Sequence, residues 1–470
     1  MTAPAPRSVR AREDGADPFH WKFTTPLYVG AALNPVNSTV IATALVPIAH
    51  ALHVSVSSTV VLVSCLYLAC AVAQPTAGKL SEEFGPRRVF LTGIGLVLCG
   101  GLLGSCGRSM AVLVAARVLI GLGTSAGYPA AMILIRRRAA GAGLGSPPGG
   151  VLGGLAIAGM ATAALGPPIG GLLVGGFGWQ AAFLVNIPVA LVAWAMAVRW
   201  VEPDPVTPRR TLREVATRID VPGIVGFGAI MTALMVFLMG LPDADWVVLG
   251  AAVVPAVPLV WWELRTPAPF LDVRRLGSNA ALTRTYIRAA LTPLAAYTVM
   301  YGLTEWMETG RGISTQEAGL LLLPMGAVAA LVSWPLSRRN LVRGPLIVAA
   351  VGVVVGSTGF LFLDGHSPVI LIVAVMLVFG VTVGTTMIGN QAALYSQAPA
   401  EQIGTASGLF RTFGYVGSSA SAALTGVAFH HGVTDRHLHL LGGVLIAVGA
   451  VVLAMTLLDR PLMSRAASAR

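Results

Sequence analysis

Four side chains that could bind cations or protons follow one another at near-helical spacing. Tyr297, Tyr301, Glu305 and Glu308 are separated by four, four and three residues, so on an α-helix they share one face. Phenol rings attract cations through their faces, and carboxylates can take up and release protons. The stripe therefore predicts a site for a lipophilic cation and for protons, or alternatively a solvated helix end.

Two arginines, Arg117 and Arg411, stand alone inside apolar stretches of the chain. A charged side chain within a bilayer costs several kcal/mol unless it faces water or a partner. Arg117 lies well inside its stretch, and we expect it to line a cavity; the alternative is that it snorkels to the outer interface. Arg411 lies nearer the inner end of its stretch, where inward snorkelling is almost as good an interpretation.

The best metal candidate is a histidine-rich segment that contains His430, His431, Asp435, His437 and His439. Imidazole and carboxylate groups bind zinc, but the loose spacing and the lack of a cysteine favour a solvated loop. The four cysteines show no metal-ligand spacing and are interpreted as structural thiols: Cys65, Cys70, Cys99 and Cys106. We predict no metal site and no cofactor.

The elements that must position these residues are apolar helices. Hydrophobic residues make up 55% of the 470-residue chain and charged residues 11%, against about a quarter charged in soluble domains. An apolar helix of roughly twenty residues crosses a hydrocarbon core about 30 Å thick, and bundled membrane helices tolerate the 55 glycines and 30 prolines. The sequence predicts an all-α polytopic membrane protein with fourteen spans, at approximately 26–48, 57–79, 88–106, 110–135, 149–175, 179–199, 221–241, 246–262, 285–304, 316–336, 345–363, 367–391, 403–429 and 438–458.

The basic residues predict the orientation of these spans. Nearly all of the 31 lysines and arginines fall on one side when the spans alternate. The exceptions are Arg108, Arg311 and Arg436 on the other side, and Arg117, Arg288 and Arg411 within spans. Because basic loops remain in the cytoplasm, we predict a multi-pass protein of the plasma (inner) membrane with both termini cytoplasmic and no cleavable signal peptide. Arginines scattered over helix ends also argue against a nucleic-acid partner.

A weak internal repeat predicts the domain organisation. The basic connection at 80–88, between spans two and three, has a counterpart at 336–344, between spans ten and eleven. The pairing predicts two six-helix bundles around a central site at mid-membrane, as in transporters. The expected units are a tail at 1–25, a first bundle at 26–200, a linker with spans seven and eight at 201–284, a second bundle at 285–460 and a tail at 461–470.

The connection at 78–88 combines a tight turn with charge. The Gly-Pro pair at 85–86 favours a reversal, and Glu82 can pair with a basic residue across the loop or with a facing helix end. This arrangement predicts a cytoplasmic latch that forms in one conformation and breaks in another; the alternative is that the basic residues only hold the loop inside. The latch candidates are Gly78, Glu82, Gly85, Arg87 and Arg88.

Span five carries a run of glycine and proline at 166–171 in its outer half. Prolines remove helix hydrogen bonds and bend the segment, while glycines let a partner helix approach closely. The run predicts an outer seal and a pivot, or alternatively a kinked packing helix. Its residues are Gly166, Pro167, Pro168, Gly170 and Gly171.

In this order, the motifs resemble those of the major facilitator superfamily, and within it the fourteen-span drug:proton antiporter family. The resemblance covers nearly the whole chain. It rests on 78–88, on Arg117 with Gly121 and Gly123, on 166–171 with Trp179 and 183–188, and on 220–223, 316–324 and 404–408. It implies a major facilitator fold, in which 166–171 is the motif that marks exporters.

Asn37 occupies the first-span position at which this family usually carries an aspartate. An amide cannot ionise, so any proton handling by that acid in relatives cannot occur here. Apart from Glu305 and Glu308, at the boundary of span nine, the spans contain almost no carboxylates. We expect Glu305, on the same face as Tyr297 and Tyr301, to bind the coupling proton.

The resemblance implies secondary active export of hydrophobic or cationic small molecules, such as drugs, antibiotics or metabolites, by a monomer in the lipid bilayer with protons as the coupling ion. Uptake or facilitated diffusion on the same fold is an alternative that the exporter motif disfavours. A membrane-embedded enzyme or sensor is a further alternative. The sequence gives it no nucleotide-binding glycine loop, no metal-spaced His/Glu pair within a helix and no soluble domain large enough for catalysis.

Overall fold

The computed structural model describes residues 18–205, 211–243, 245–339 and 341–459. The predicted tail at 461–470 and most of the tail at 1–25 lie outside this part of the chain. Within it the secondary structure is helical, without a β-strand. The first six long helices are α1 (Trp21–Leu52), α2 (Val61–Phe84), α3 (Pro86–Ser105), α4 (Met110–Gly141), α5 (Gly149–Phe177) and α6 (Ala181–Trp200).

Four helices form the middle of the chain and six more complete it. The middle helices are α7 (Leu212–Ile219), α8 (Val221–Gly240), α9 (Trp246–Glu263) and α10 (Val273–Ser278). The last six are α11 (Ala280–Thr298), α12 (Thr315–Ser337), α13 (Arg343–Phe360), α14 (Val369–Gln397), α15 (Ile403–Phe429) and α16 (Asp435–Leu457). Two π-helical segments, Val299–Leu303 and Trp306–Gly310, extend α11.

Eleven helices in the described ranges are long and apolar enough to cross a membrane. Three further long helices, α5, α11 and α15, occupy the positions of predicted spans five, nine and thirteen. The all-helical membrane fold is confirmed, whereas the count of fourteen spans stays a prediction.

The same packing pattern occurs twice. Helix α1 packs on α5, α2 on α4, and α3 on both α4 and α6. Ten elements later, α11 packs on α15, α12 on α14, and α13 on both α14 and α16. The basic connections at 80–88 and 336–344 occupy equivalent places, between the second and third helices of each set. We call α1–α6 the first bundle and α11–α16 the second bundle.

Hydrogen bonds between distant segments show that successive long helices alternate in direction. Near the end of α4, Arg138 donates to the carbonyl of Pro18 at 2.9 Å, just before α1 begins. Near the start of α11, the buried Arg288 pairs with Asp459, just after α16, at 3.2 Å. The first and last described residues therefore lie at one end of the molecule, which we call the basic end; the opposite end is the far end.

The inserted helices α8 and α9 pack against each other, and α8 also contacts α2 and α15. Asp220 fixes their base. Its buried carboxylate accepts hydrogen bonds from the Gly223 N–H at 3.1 Å, the Trp262 indole at 2.9 Å and the Phe270 N–H at 3.0 Å. A side chain at position 223 would collide with that carboxylate, which explains why the 220–223 motif combines an aspartate with a glycine.

Candidate functional site

The two bundles meet along a seam between α2 and α15. At the basic end the helices touch backbone to backbone, because a β-carbon on Gly78 would collide with the carbonyl group of Gly404. One turn further in, Gly408 packs equally closely on the backbone of Gln74 and Pro75. Small residues permit such close approach between membrane helices, so Gly78 and Gly404 allow the two helices to meet here.

Glu82 crosses the same seam. Its carboxylate accepts hydrogen bonds from the N–H of Thr405 at 2.7 Å and from the hydroxyl of Thr405 at 3.0 Å. Helix α15 begins at Ile403, so this N–H belongs to the first turn, which has no intrahelical acceptor. A carboxylate at a helix N-terminus is stabilised by the helix dipole. Of the two partners expected for Glu82, the structure shows the facing helix end.

Gly85, Arg87 and Arg88 make their described contacts inside the first bundle. Gly85 has φ of +101°, a conformation that favours glycine. Asp204, just after α6, accepts hydrogen bonds from the backbone N–H groups of Arg87 and Arg88 at 3.3 and 2.8 Å. The Arg87 guanidinium donates to the carbonyl of Val198 at 2.6 Å. These residues therefore fix α3 to the end of α6.

A second seam joins α5 of the first bundle to the second bundle. Gly153 packs against Ser337 at the end of α12. On α14, Gln391 donates to the carbonyl of Leu152 at 3.0 Å. The two seams lie on either side of the bundle interface, and together they close its basic end.

A hydrogen-bond network joins the bundles near the middle of the helices. The hydroxyl of Tyr415 on α15 donates to the side-chain carbonyl of Asn34 on α1 at 2.6 Å, and Gln74 on α2 donates to that hydroxyl at 3.0 Å. Asn34 also donates to Thr124 on α4 at 3.1 Å. The sequence did not predict this network. The available signal was the presence of the amides Asn34 and Gln74 inside apolar stretches.

Tyrosines from both bundles converge above this network, toward the far end. The rings of Tyr67 and Tyr415 lie 5.7 Å apart across the seam, and those of Tyr297 and Tyr301 lie 5.7 Å apart on α11. Helix α11, which carries Tyr297 and Tyr301, packs on α15, which carries Tyr415. The side chain of Tyr297 is 37% exposed, so part of this aromatic surface is open.

The two carboxylates of the predicted stripe follow the tyrosines along the same helix, toward the far end. The π-helical segments Val299–Leu303 and Trp306–Gly310 carry this part of the stripe. Glu305 is exposed and Glu308 half-buried near the far end, and no hydrogen bond in the described part joins Glu305 to Tyr297 or Tyr301. The structure places the rings of Tyr297 and Tyr301 side by side, and the role of Glu305 stays a prediction.

Arg117 and Asn37 meet inside the first bundle. The side chain of Arg117 is 1% exposed, so it does not snorkel to an interface. It donates to the carbonyl of Leu62 at 2.9 Å and to the carbonyl of Asn37 at 3.1 Å. The amide of Asn37, also buried, donates to Asn186 on α6 at 2.6 Å. An amide pair thus occupies the place where relatives usually carry an acid.

Arg411 lies in the seam and does not extend to the basic end. Its guanidinium carbon lies 4.7 Å from the centroid of the Tyr128 ring on α4. The arginine belongs to the second bundle and the tyrosine to the first, so the pair crosses the interface. This contact places Arg411 between the bundles, and its role in a central cavity stays a prediction.

The 166–171 run lies on the face of α5 that packs against α1. A β-carbon on Gly166 would collide with the Thr39 hydroxyl, and one on Gly170 would lie 2.6 Å from the hydroxyl of Thr43. Gly171 has open space around it, Pro168 is exposed, and the side chain of Pro167 lies outside the described residues. The helix continues through the run to Phe177.

The histidine-rich segment caps the far end of the second bundle. Asp435 accepts hydrogen bonds from the Trp306 indole at 2.8 Å and from the Gly365 N–H at 3.0 Å. His439 contacts the carbonyl of Leu363. Over the described ranges, no group of three or more His, Cys, Asp or Glu side chains is arranged to hold a metal ion.

Comparison with known families agrees with this architecture. The family model of the Major Facilitator Superfamily matches residues 27–422, from α1 into α15. The chain belongs to the Major Facilitator Superfamily. The family and the fold class predicted from the sequence are therefore confirmed, and the chain is a membrane transporter of this superfamily.

Individual relatives extend the comparison. The uncharacterized MFS-type transporter YwoD of Bacillus subtilis (strain 168) is 31% identical over 94% of this chain and 98% of its own length. The tetracenomycin C resistance and export protein of Streptomyces glaucescens is 31% identical over 88% of this chain and 77% of its own length. The crystal structure of the human organic anion transporter MFSD10 (TETRAN) matches with a TM-score of 0.64 and 14% identity, over 93% of this chain and 100% of that chain. At that identity the likeness shows the fold alone.

Proposed function

We propose that the chain exports hydrophobic small molecules by alternating access between the two bundles, with protons as the coupling ion. The observation that carries the proposal is the closed basic end, where Glu82 binds the N-terminus of α15 and the glycines at 78 and 404 touch. Contacts of this kind can form in one arrangement of rigid bundles and break in another. A relative whose printed name is a resistance and export protein supports the direction of transport.

Orientation follows from charge. If the basic end faces the cytoplasm of a plasma membrane protein, as the positive-inside rule requires, both termini are cytoplasmic and the conformation described here is closed to the inside. The tyrosines at 67, 297, 301 and 415 then face the outer half of the pathway. Their rings provide the apolar, polarisable surface that a hydrophobic substrate needs. We take the monomer as the working unit.

Proton coupling requires an ionisable group that both sides of the cycle can reach. In the inward-closed conformation Glu305 is exposed near the far end, where it can exchange protons with the outer solution. We propose that Glu305 takes up the proton there and that the return of the bundles delivers it inward. Asn37 cannot take this role because an amide does not ionise.

The test is transport by the unmodified chain. Everted membrane vesicles with an acidic lumen should accumulate tetracenomycin C or the neutral dye N-phenyl-1-naphthylamine when they contain the chain, and a protonophore should abolish the accumulation. Cells that lack their own exporters should retain less of each compound when they express the chain. Higher retention in expressing cells would indicate uptake instead, and accumulation that ignores the pH gradient would exclude proton antiport.

A further inference from the structure

Arg411 is a cation placed deep in the interface between the bundles. It follows the start of α15 at Ile403 by eight residues, or about 12 Å at the rise of an α-helix. Its guanidinium lies over the ring of Tyr128 in the facing bundle. Tyr415 follows Arg411 by four residues on α15, so the two side chains lie on the same face of that helix. The charge is therefore directed toward the tyrosine-lined part of the seam.

Two polar groups at this position have no partner of their own. The Nε of Arg411 and the hydroxyl of Tyr128 are both buried, and neither makes a hydrogen bond to a described residue. The side chain of Tyr128 is 5% exposed. A buried donor without an acceptor costs about 1–3 kcal/mol, whereas stacking on one aromatic ring stabilises a cation by roughly 0.5–2 kcal/mol. Stacking on Tyr128 therefore does not fully offset the cost of the two unbonded polar groups.

No carboxylate of the described ranges forms an ion pair with Arg411. The acids of the neighbouring seam helices lie at helix ends. Glu82 is occupied by α15 at the basic end, and Glu305 and Glu308 lie near the far end. The middle of the pathway thus carries a positive charge, which repels a lipophilic cation and attracts an anion.

We propose that Arg411 and Tyr128 form an anion-binding subsite, and that the exported molecules are aromatic organic acids in their anionic form. A carboxylate accepts hydrogen bonds from the Arg411 guanidinium and the Tyr128 hydroxyl, and charge-assisted bonds of this type are the strong ones. The attached ring packs on Tyr415 and Tyr297. This assignment names the substrate class of the proposed exporter and replaces the expectation of cationic substrates.

The test compares three probes that share one ring system: 2-naphthoate, the neutral 2-naphthamide and (2-naphthylmethyl)trimethylammonium. Binding to the full chain in nanodiscs is measured by calorimetry. We expect 2-naphthoate to bind at least about tenfold more tightly than the amide, and the ammonium compound to bind most weakly. If the anion binds no more tightly than the other two, the proposal is wrong. This comparison needs no variant, so it does not depend on whether a substituted chain folds.

Variants assign the preference to the two residues. Arg411→Gln should reduce the affinity for 2-naphthoate about tenfold and leave the affinity for 2-naphthamide unchanged. Arg411→Lys should retain part of the preference for the anion. Tyr128→Phe should reduce the affinity for 2-naphthoate about threefold. The matched control is Arg265→Gln, which removes an exposed arginine stacked 3.9 Å from the Trp261 ring on α9; it should change nothing. A preference for the anion that survives Arg411→Gln would place the anion site elsewhere and overturn the assignment.

The experiments distinguish failure of the anion-site proposal from failure of the export proposal. The probe measurements are made without a pH gradient and report only the subsite. If 2-naphthoate binds through Arg411 but vesicles with an acidic lumen do not accumulate 2-naphthoate, proton-driven export is wrong and the anion site stands. If gradient-driven export is observed and the three probes bind equally, the exporter stands and the anion site is wrong.

Discussion

Single buried polar residues determine how the first bundle is held together. Asn37 is 3% exposed, and its amide joins α1 to α6 through Asn186. Its carbonyl accepts a hydrogen bond from Arg117, which joins α1 to α4. The sequence identified Asn37 as a departure from the family and Arg117 as a buried charge. It did not predict Asn186 as a partner, because that contact joins positions far apart in the chain.

We expect Asn37→Asp to fold and to transport with an altered pH profile. Arg117 already contacts residue 37, and its Nη2 has no hydrogen-bond partner in the described structure, so a carboxylate there gains a cationic neighbour. Asn37→Leu is the control, since it leaves the side-chain oxygen of the buried Asn186 without its donor and should lower stability by about 1–3 kcal/mol. Thermal unfolding in detergent and transport against pH measure both effects. Asn37→Asp unfolding at a lower temperature than Asn37→Leu would contradict this account of the site.

At the far end, Glu305→Gln should abolish transport driven by a pH gradient while exchange of substrate without a gradient continues. The amide keeps the size and polarity of the side chain but cannot carry a proton. Glu308→Gln is the matched control one turn away and should pump normally. If Glu305→Gln vesicles accumulate substrate like the parent chain, Glu305 is only a solvated helix end and the coupling proton binds elsewhere.

At the scale of helices, the sequence predicted positions well and local geometry less well. Predicted spans such as 149–175 and 403–429 agree within a few residues with Gly149–Phe177 and Ile403–Phe429, because apolar length and Gly/Pro punctuation are local signals. The π-helical turns after Thr298 were not predicted. A π-turn depends on packing from other helices, which the local sequence does not record.

The inserted helices depend on Asp220. We expect Asp220→Ala to lower the unfolding temperature in detergent by an amount that corresponds to at least about 2 kcal/mol, because it leaves two backbone N–H groups and an indole N–H without their acceptor. Asp220→Asn should cost less, since it keeps an acceptor oxygen and tolerates the positive φ of 56° at this position. Asp245→Ala is the control. It removes an exposed helix cap, a single bond to the Val247 N–H, and should cost about 1 kcal/mol or less. Equal losses for Asp220→Ala and Asp245→Ala would show that Asp220 does not hold the insert.

At the scale of the whole molecule, the internal repeat was the informative signal. The equivalent connections at 80–88 and 336–344 predicted two bundles, and the packing of α1–α6 recurs in α11–α16. The contacts that join the bundles were harder to predict from the sequence. The resemblance marked both Glu82 and the 404–408 segment, but no sequence pattern stated that one binds the other. Contacts such as Arg411 with Tyr128 had no sequence signal at all.

The seam between α2 and α15 makes a prediction about the transport cycle. Thr412 lies in this seam, where its hydroxyl donates to the carbonyl of Ala71 at 2.6 Å. A single cysteine at position 412, in a chain whose four native cysteines have been replaced, should react slowly with a maleimide applied from the basic end while the seam is closed. The labelling rate therefore measures how often the bundles separate at that end.

Two changes should open the seam by different means. Glu82→Ala removes two charge-assisted hydrogen bonds to Thr405, and a loss of about 1.5–3 kcal/mol should raise the labelling rate roughly tenfold or more. Gly78→Leu introduces a side chain against backbone atoms of Gly404, which cannot rotate away, so it should wedge the helices apart. Gly95→Leu is the matched control, because Gly95 on α3 has open space around it.

The same measurement separates Glu82 from the neighbouring arginines. The sequence placed Arg87 and Arg88 in the latch, which predicts that Ala at both positions slows transport. Their backbone bonds to Asp204 survive that substitution, and the Arg87 guanidinium reaches only the first bundle. The double variant should therefore label at position 412 much more slowly than Glu82→Ala. Labelling of the double variant as fast as that of Glu82→Ala would mean that the arginines also control the seam. Labelling of Glu82→Ala at the rate of the parent chain would mean that Glu82 is a helix cap without a gating role.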